Sequence, residues 1–126
     1  MMVPKNLYYT DSHEWVKVEG DEAFIGITEY AATELGDIVY VDLPQEGDNL
    51  TSGEPLGSIE AVKAVEDLIS PISGEVLSVN GELEDTPDTI NHSPFEDGWL
   101  VKVRLEDKDE LANLMNAEDY QKMIDA

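Results

Sequence analysis

Closely spaced glycines and prolines, with short apolar segments between them, limit what this chain can fold into more than any other feature of its sequence. In the middle of the chain the glycines fall at positions 47, 53, 57, 74 and 81, and the prolines at 55 and 71. Helices of ordinary length do not fit between such breakers, whereas short strands do. Segments 55–61, 65–70 and 74–79 are therefore predicted to be β-strands.

The N-terminal part of the chain continues this pattern of short elements. Segments 15–18 and 23–27 are apolar and flank a polar turn that contains a glycine, which predicts a β-hairpin. Thr28 follows directly and is a suitable N-cap for a short helix over 29–35. Gly36 is placed to end that helix.

Two further strands and one turn are predicted from local signals. Segment 37–43 is apolar and rich in β-branched residues, and segment 99–105 alternates between apolar and other residues. The pair Asn80-Gly81 is a strong signal for a tight turn.

The C-terminal segment has helical periodicity instead. Asp107 or Asp109 can cap a first helix, and Asn116 can cap a second. The apolar residues at i, i+3 and i+4 spacing are Leu111, Leu114 and Met115 in the first and Tyr120, Met123 and Ile124 in the second. The chain is therefore predicted to be one domain, residues 1–126, a mostly-β sandwich or barrel with a short N-side helix and a helical C-terminal segment over about 107–125.

The charge of the chain excludes some classes of partner. Seven basic and 29 acidic residues give a formal net charge of −22. Nucleic acids and anionic membranes are recognised with Lys and Arg, so neither is expected as a partner. Partners with basic docking surfaces are expected, although adaptation to salt would also explain the acidity. With no cysteine and only two separated histidines, no metal site is predicted.

One lysine stands apart in this acidic chain. Lys63 lies in the sequence SIEAVKAVED, with no other cation within thirty residues on either side. Residues 62–64 separate two predicted strands, so Lys63 is expected at the exposed tip of a hairpin. Its acidic neighbours favour the charged ammonium, which is unsuitable for Schiff-base or general-base chemistry. Two interpretations remain: a surface lysine paired with Glu60 or Glu66, or a site of covalent modification.

Several motifs in order along the chain resemble the H proteins of the glycine cleavage system. The lipoyl motif of that family corresponds to Ile59-Glu60-Ala61-Val62-Lys63-Ala64. The other matching segments are Ser12-His13-Glu14-Trp15-Val16, Ile25-Gly26-Ile27-Thr28, residues 35–44, residues 70–76, Asn80, Ile90-Asn91, Ser93-Pro94 and residues 96–100. Together they cover nearly the whole chain, and the resemblance implies the β-sandwich or barrel hybrid fold of lipoyl and biotinyl domains.

The resemblance implies a carrier that has no catalytic activity of its own. Lys63 would be joined by an amide to lipoic acid, and the chemistry would belong to that cofactor. The arm would receive the aminomethyl group of glycine from a pyridoxal-phosphate glycine decarboxylase and pass it to a tetrahydrofolate-dependent aminomethyltransferase. Dihydrolipoamide dehydrogenase would re-oxidise the arm, and a lipoate-attaching enzyme would load it. A cytoplasmic, prokaryotic, monomeric protein is expected; a mitochondrial one would require a removed presequence.

Ser12, Glu14 and Asp67 match family positions near the arm and are the predicted arm contacts. The sequence departs from the family at Ala61, where serine is usual, and at Glu34, where members often have histidine. The substitution at Glu34 puts one arm contact in doubt but leaves the attachment lysine unaffected.

Five alternatives are weighed against this interpretation. An H-like relay or donor for other lipoyl enzymes has the same sequence features. A lipoyl domain of a 2-oxoacid dehydrogenase would show Asp-Lys-Ala at the tip, and a biotin carrier Met-Lys-Met; neither is present. An independent enzyme lacks support, because no phosphate loop or nucleophile elbow occurs. A plain acidic interaction module leaves Lys63 unexplained.

Overall fold

The computed structural model describes all 126 residues. The strands are β1 (Tyr8–Tyr9), β2 (Glu14–Glu19), β3 (Glu22–Ile27), β4 (Ile38–Asp42), β5 (Asn49–Leu50), β6 (Pro55–Ala61), β7 (Val65–Ile69), β8 (Gly74–Val79) and β9 (Val101–Leu105). The helices are α1 (Glu29–Leu35), α2 (Glu82–Asp85), α3 (Thr89–His92) and α4 (Ala117–Asp125), with a 3-10 helix at Lys108–Asn113. Every strand predicted from the sequence is present, with small differences at the ends.

The strands form two antiparallel sheets. One has six strands in the order β1-β2-β3-β9-β8-β5, and the other has three in the order β4-β6-β7. The main core contains buried residues from both sheets and from α1, α2 and α3. The prediction of a mostly-β sandwich with a short N-side helix and C-terminal helices is confirmed.

The β2–β3 hairpin depends on a close approach between two residues. Trp15 lies opposite Gly26 in the register of these strands. A Cβ atom at position 26 would lie 2.4 Å from the Trp15 ring, so only glycine fits there. The indole N–H of Trp15 also donates a hydrogen bond to the Pro94 carbonyl at 3.0 Å. The hairpin is thereby fixed to the loop that precedes β9.

Helix α1 begins and ends as its sequence predicts. The Thr28 hydroxyl accepts a hydrogen bond from the Ala31 amide at 3.2 Å, which satisfies one of the free amides of the first turn. The Gly36 amide donates to the Ala32 carbonyl, and Gly36 has φ 78°. The chain then turns directly into β4.

The Asn80-Gly81 pair forms the predicted tight turn, in which the Leu83 amide donates to the Asn80 carbonyl at 3.2 Å, but the turn leads into α2 and does not close a β-hairpin. Gly81 has a right-handed helical backbone, with φ −65° and ψ −19°, and α2 follows it. Tertiary contacts decide this, because the buried Asn80 side chain donates to the carbonyls of Asp97 and Trp99 at 2.9 and 2.8 Å. These two contacts hold the segment against the loop before β9, so the chain does not return beside β8.

The C-terminal segment is helical, and Asp107 rather than Asp109 is the first cap. The Asp107 side chain accepts from the Asp109 amide at 2.9 Å, and the segment that follows is a 3-10 helix rather than an α-helix. Asn116 caps α4 as predicted, accepting from the Asp119 amide at 2.8 Å. None of the helices combines the length and the apolar composition needed to cross a membrane.

Candidate functional site

Lys63 lies at the apex of the β6–β7 hairpin. The two strands pair antiparallel up to Glu60 opposite Val65, and the Ala61 amide donates to the Ala64 carbonyl at 2.9 Å to close the turn. The Lys63 side chain is exposed to solvent. The sequence prediction of an exposed lysine at a hairpin tip is confirmed.

The backbone of the tip is fixed against the end of α1. The Val62 amide donates to the Asp37 carbonyl at 3.0 Å, and the Lys63 amide donates to the Leu35 carbonyl at 3.3 Å. Gly36 lies directly beneath, since a Cβ atom there would be 2.9 Å from Val62 Cγ2 and 3.5 Å from Lys63 Cδ. The lysine therefore has a held backbone and a free side chain.

Asn91 fixes the other side of this support, and sequence reasoning assigned it no role. Its side-chain oxygen accepts from the Ile38 amide at 2.9 Å, and its side-chain nitrogen donates to the Gly36 carbonyl at 2.9 Å. One amide side chain thus joins α3, the end of α1 and the start of β4. The available signal was Ile90-Asn91 among the matching family segments, which gave the position but not its function.

Lys63 makes no ion pair. Five of the other six basic residues pair with carboxylates, and neither Glu60 nor Glu66 pairs with Lys63. The interpretation of Lys63 as a surface lysine held by one of these two carboxylates is therefore wrong. The only other lysine without an ion pair is Lys5, near the N-terminus.

A cleft of about 370 Å³ begins at the tip and is lined by all three predicted arm contacts, Ser12, Glu14 and Asp67. Its apolar wall comes from the end of β3, from α1 and from the β6–β7 hairpin, and includes Ile27, Leu35, Ile59 and Leu68. Ala64, next to Lys63, also lines it. The structure thus brings together residues that are separated by more than fifty positions in the sequence.

Glu14 is a buried carboxylate, only 2% exposed, and not a solvated strand residue. One oxygen accepts from the hydroxyls of Thr10 and Ser12 at 2.7 and 2.5 Å, and the other accepts from the Ile69 amide at 3.4 Å. Burial raises the pKa of Glu14, and the hydrogen bonds to its charged form oppose that rise. A carboxylate is thus held in place at the back of the cleft.

His13 connects the cleft to α4. It has φ 72°, an uncommon value for a residue other than glycine, and its Nδ1 lies 2.8 Å from the Tyr120 hydroxyl. Tyr120 also lies 2.7 Å from the Thr28 hydroxyl at the start of α1. Burial lowers the pKa of His13 and raises the pKa of Tyr120 to about 12. These contacts give His13 a structural role between the cleft, α1 and α4.

Comparison with known proteins gives one consistent result. The family model described as "Glycine cleavage H-protein" matches residues 7–126. The glycine cleavage system H proteins of Brevibacillus brevis and Staphylococcus saprophyticus are 52% and 54% identical over 124 residues, covering 98% of this chain and 98% of each relative. A crystal structure of a glycine cleavage system H protein from Mycobacterium marinum superimposes with a TM-score of 0.89 at 35% identity, covering 98% of this chain and all of that one.

Proposed function

Since this chain belongs to the glycine cleavage H-protein family and has the role of lipoyl carrier in the glycine cleavage system, we propose that Lys63 is the residue that carries its lipoyl group. The observation that supports this assignment is the exposed, unpaired lysine on a rigid hairpin apex. When bound, the lipoyl group supplies the sulfur chemistry on which the carrier depends. The protein supplies the attachment point and its surroundings.

The residues around Lys63 fit such a group. An attaching enzyme needs to reach the amine, and the Lys63 side chain is exposed and makes no ion pair. The held backbone fixes where the arm starts, so that only the arm needs to move between partners. Nothing around Lys63 would activate its amine as a nucleophile, because it is exposed and has no neighbouring cation. We therefore assign no catalytic residue to the chain.

The cleft beside the tip is proposed to receive the end of the arm, with Ser12, Glu14 and Asp67 as the residues that contact it. The aminomethyl cargo has a cationic amine, and a cleft with carboxylates at its back and rim suits such a group. Glu14 is positioned by three donors, so its oxygens are oriented before the cargo enters. The apolar wall would exclude water from the cargo.

The proposal includes four partners. They are a pyridoxal-phosphate glycine decarboxylase, a tetrahydrofolate-dependent aminomethyltransferase, dihydrolipoamide dehydrogenase and a lipoate-attaching enzyme. As a member of the glycine cleavage system, the carrier works with the other components of that system. Because the matching relatives are bacterial, we place this single-domain carrier in the bacterial cytoplasm and expect it to be a monomer.

Intact mass tests the attachment site. After incubation with lipoate, ATP and a lipoate ligase, the mass should increase by one lipoyl group, and Lys63→Ala should abolish the increase. Lys5→Ala is the matched control, because Lys5 is also exposed and free of ion pairs, and it should be modified normally. If Lys63→Ala still gained the mass, the assignment of Lys63 would be wrong.

A further inference from the structure

We propose that four exposed apolar side chains around Lys63 form a docking surface for a protein partner that presents an apolar depression bordered by Lys and Arg. These side chains are Val39, Tyr40, Val62 and Val65, and we call them the tip face. The inference rests on the proposed function, because the partners meant are the enzymes that receive the arm. It adds the surface on the carrier that recognises them.

The tip face is one continuous region of the small sheet. Tyr40 lies opposite Glu60, and Glu60 lies opposite Val65, so the three side chains form a row on one face across β4, β6 and β7. Val39 precedes Tyr40 at a shift in the β4–β6 register. Val62 is at the hairpin tip, with its amide bonded to the Asp37 carbonyl at the start of β4.

The exposure of these side chains is unusual within this protein. They are 54%, 57%, 66% and 69% exposed in the order Val39, Tyr40, Val62, Val65. The other large apolar residues that are exposed are Met1, Met2 and Tyr8, all at the N-terminus. Burying such side chains is favourable, and clustered exposed apolar groups on a small protein mark interaction sites.

The charged residues near the tip face indicate which kind of partner binds there. Exposed carboxylates border the tip face at Asp37, Asp42 and Asp67, and the exposed Glu60 lies between Tyr40 and Val65. Lys63 is the only cation in the region, and an amide bond would remove its charge. A second copy of this chain would bring two such acidic sets together, and an anionic membrane would be repelled. A protein surface with cations around an apolar depression is complementary in both respects.

The position of Lys63 within the tip face gives a second argument. Any active site that receives the arm must approach the apex of the β6–β7 hairpin, and its rim must then lie over the neighbouring side chains. A partner that covers the apex therefore buries Val62 and Val65 without further rearrangement. Apolar anchors combined with complementary charges are typical of specific protein interfaces, and the charges act mainly on the rate of association.

The test uses fully lipoylated carrier, confirmed by intact mass, and a purified glycine decarboxylase. The rate of glycine-dependent exchange is measured against carrier concentration for wild type, Tyr40→Ser and Val65→Ser. We expect KM to rise about fivefold to tenfold for each variant, as for interface anchors, with kcat unchanged. Tyr8→Ser, an exposed apolar residue outside the tip face, is the matched control and should match wild type.

Charge is tested separately with Glu60→Gln. This variant should raise KM at low salt and reduce the dependence of KM on salt, whereas Val65→Ser should leave that dependence unchanged. Unaltered KM for both Tyr40→Ser and Val65→Ser would overturn the proposal. So would a dimer in sedimentation that Val65→Ser abolishes, because the occupant would then be a second copy.

Rejection of the docking surface can be distinguished from failure of the proposed carrier function. If lipoylated wild type supported no exchange while Lys63 was fully modified, the carrier role would fail before any variant was compared. If wild type was active and the tip-face variants behaved like it, only the docking surface would be rejected.

Discussion

Gly36 is the single residue on which the position of the tip depends most directly. Four glycines have positive φ, and only at Gly36 would an added Cβ atom meet other atoms of the structure within 4 Å. Its φ of 78° and ψ of −161° place it in a region that is essentially restricted to glycine. The residue is thus required both for its backbone conformation and for the space it leaves under Val62.

Gly36→Ala should destabilise the fold by about 2–3 kcal/mol, from backbone strain and from the contact with Val62. It should also slow lipoate attachment, because Val62 and Lys63 have to move away from the added methyl group. Urea denaturation and the initial rate of the mass increase measure the two effects. Gly20→Ala is the control: φ is 66° but nothing lies within 4 Å, so we expect about 1 kcal/mol and a normal rate of attachment. Equal attachment rates for both variants would contradict this account.

Glu14 makes stability depend on pH. Burial raises its folded-state pKa above the ordinary value of 4.5, so Glu14 binds a proton more tightly in the folded than in the unfolded state. Its contribution is therefore fully present below pH 4.5 and is lost as the pH rises through the folded-state pKa. Glu14→Gln should remove this loss.

The measurement compares the free energy of unfolding of Glu14→Gln and wild type across this pH range. The free energy of unfolding of Glu14→Gln should increase relative to that of wild type as the pH rises from 4 to 7. Glu82→Gln, at an exposed carboxylate in α2, is the control and should show no such trend. A difference between Glu14→Gln and wild type that is constant with pH would contradict the assigned pKa direction.

At the scale of elements, the β6–β7 hairpin depends on helix α3, which lies about twenty residues after it in the sequence. Helix α3 contributes Asn91, which bonds to the end of α1 and the start of β4, and these in turn bond to the tip. Through these successive hydrogen bonds, α3 stabilises the backbone at the attachment site. Its only apparent signal in the sequence was a short family match.

Asn91→Ala should lower the free energy of unfolding by about 2 kcal/mol, because the Ile38 amide and the Gly36 carbonyl lose their partner. Hydrogen exchange at the Val62 and Lys63 amides should become faster, since their acceptors at Asp37 and Leu35 lose their support. Asn113→Ala removes an exposed asparagine that makes no side-chain hydrogen bond and should change neither quantity. Faster exchange spread evenly over the chain would argue against a local role for Asn91.

The elements themselves were predictable to different degrees. Helix α1 and the β6–β7 hairpin follow from local signals, namely a threonine cap, a terminal glycine and strands bounded by turn residues. The two-residue strands β1 and β5 have no such signal, because they form only where another strand is already in place beside them. The turn predicted at Asn80-Gly81 is present but is followed by helix α2 and not by a paired strand, since the Asn80 side chain bonds to carbonyls seventeen and nineteen residues away.

At the scale of the whole molecule, the net charge of −22 acts on stability as well as on partners. The surface ion pairs contribute only about 0–1 kcal/mol each, whereas repulsion among the excess carboxylates extends over the whole surface. Salt weakens both the attraction within ion pairs and the repulsion among carboxylates. The repulsion is the larger effect, because acidic residues far outnumber basic ones in this chain.

The midpoint of thermal unfolding near neutral pH should therefore rise when sodium chloride is increased from about 0.01 M to about 0.15 M, as the Debye length falls from about 30 Å to about 8 Å. The same addition near pH 4.1, where the net charge approaches zero, should have little effect. A midpoint that fell with salt at neutral pH would mean that the ion pairs outweigh the repulsion.

By itself, the sequence determined the features that act over a few residues: where the longer strands lie, which cap and glycine bound helix α1, and that Lys63 lies exposed at a hairpin tip. These depend on backbone conformation and side-chain periodicity, which neighbouring residues set. Only the tertiary structure decided that Glu14 is buried with the Ile69 amide as a partner, that Asn91 supports the tip, and that Tyr40 and Val65 share one face. Those relations depend on which distant segments pack together, and packing follows from the shape and charge of the whole chain.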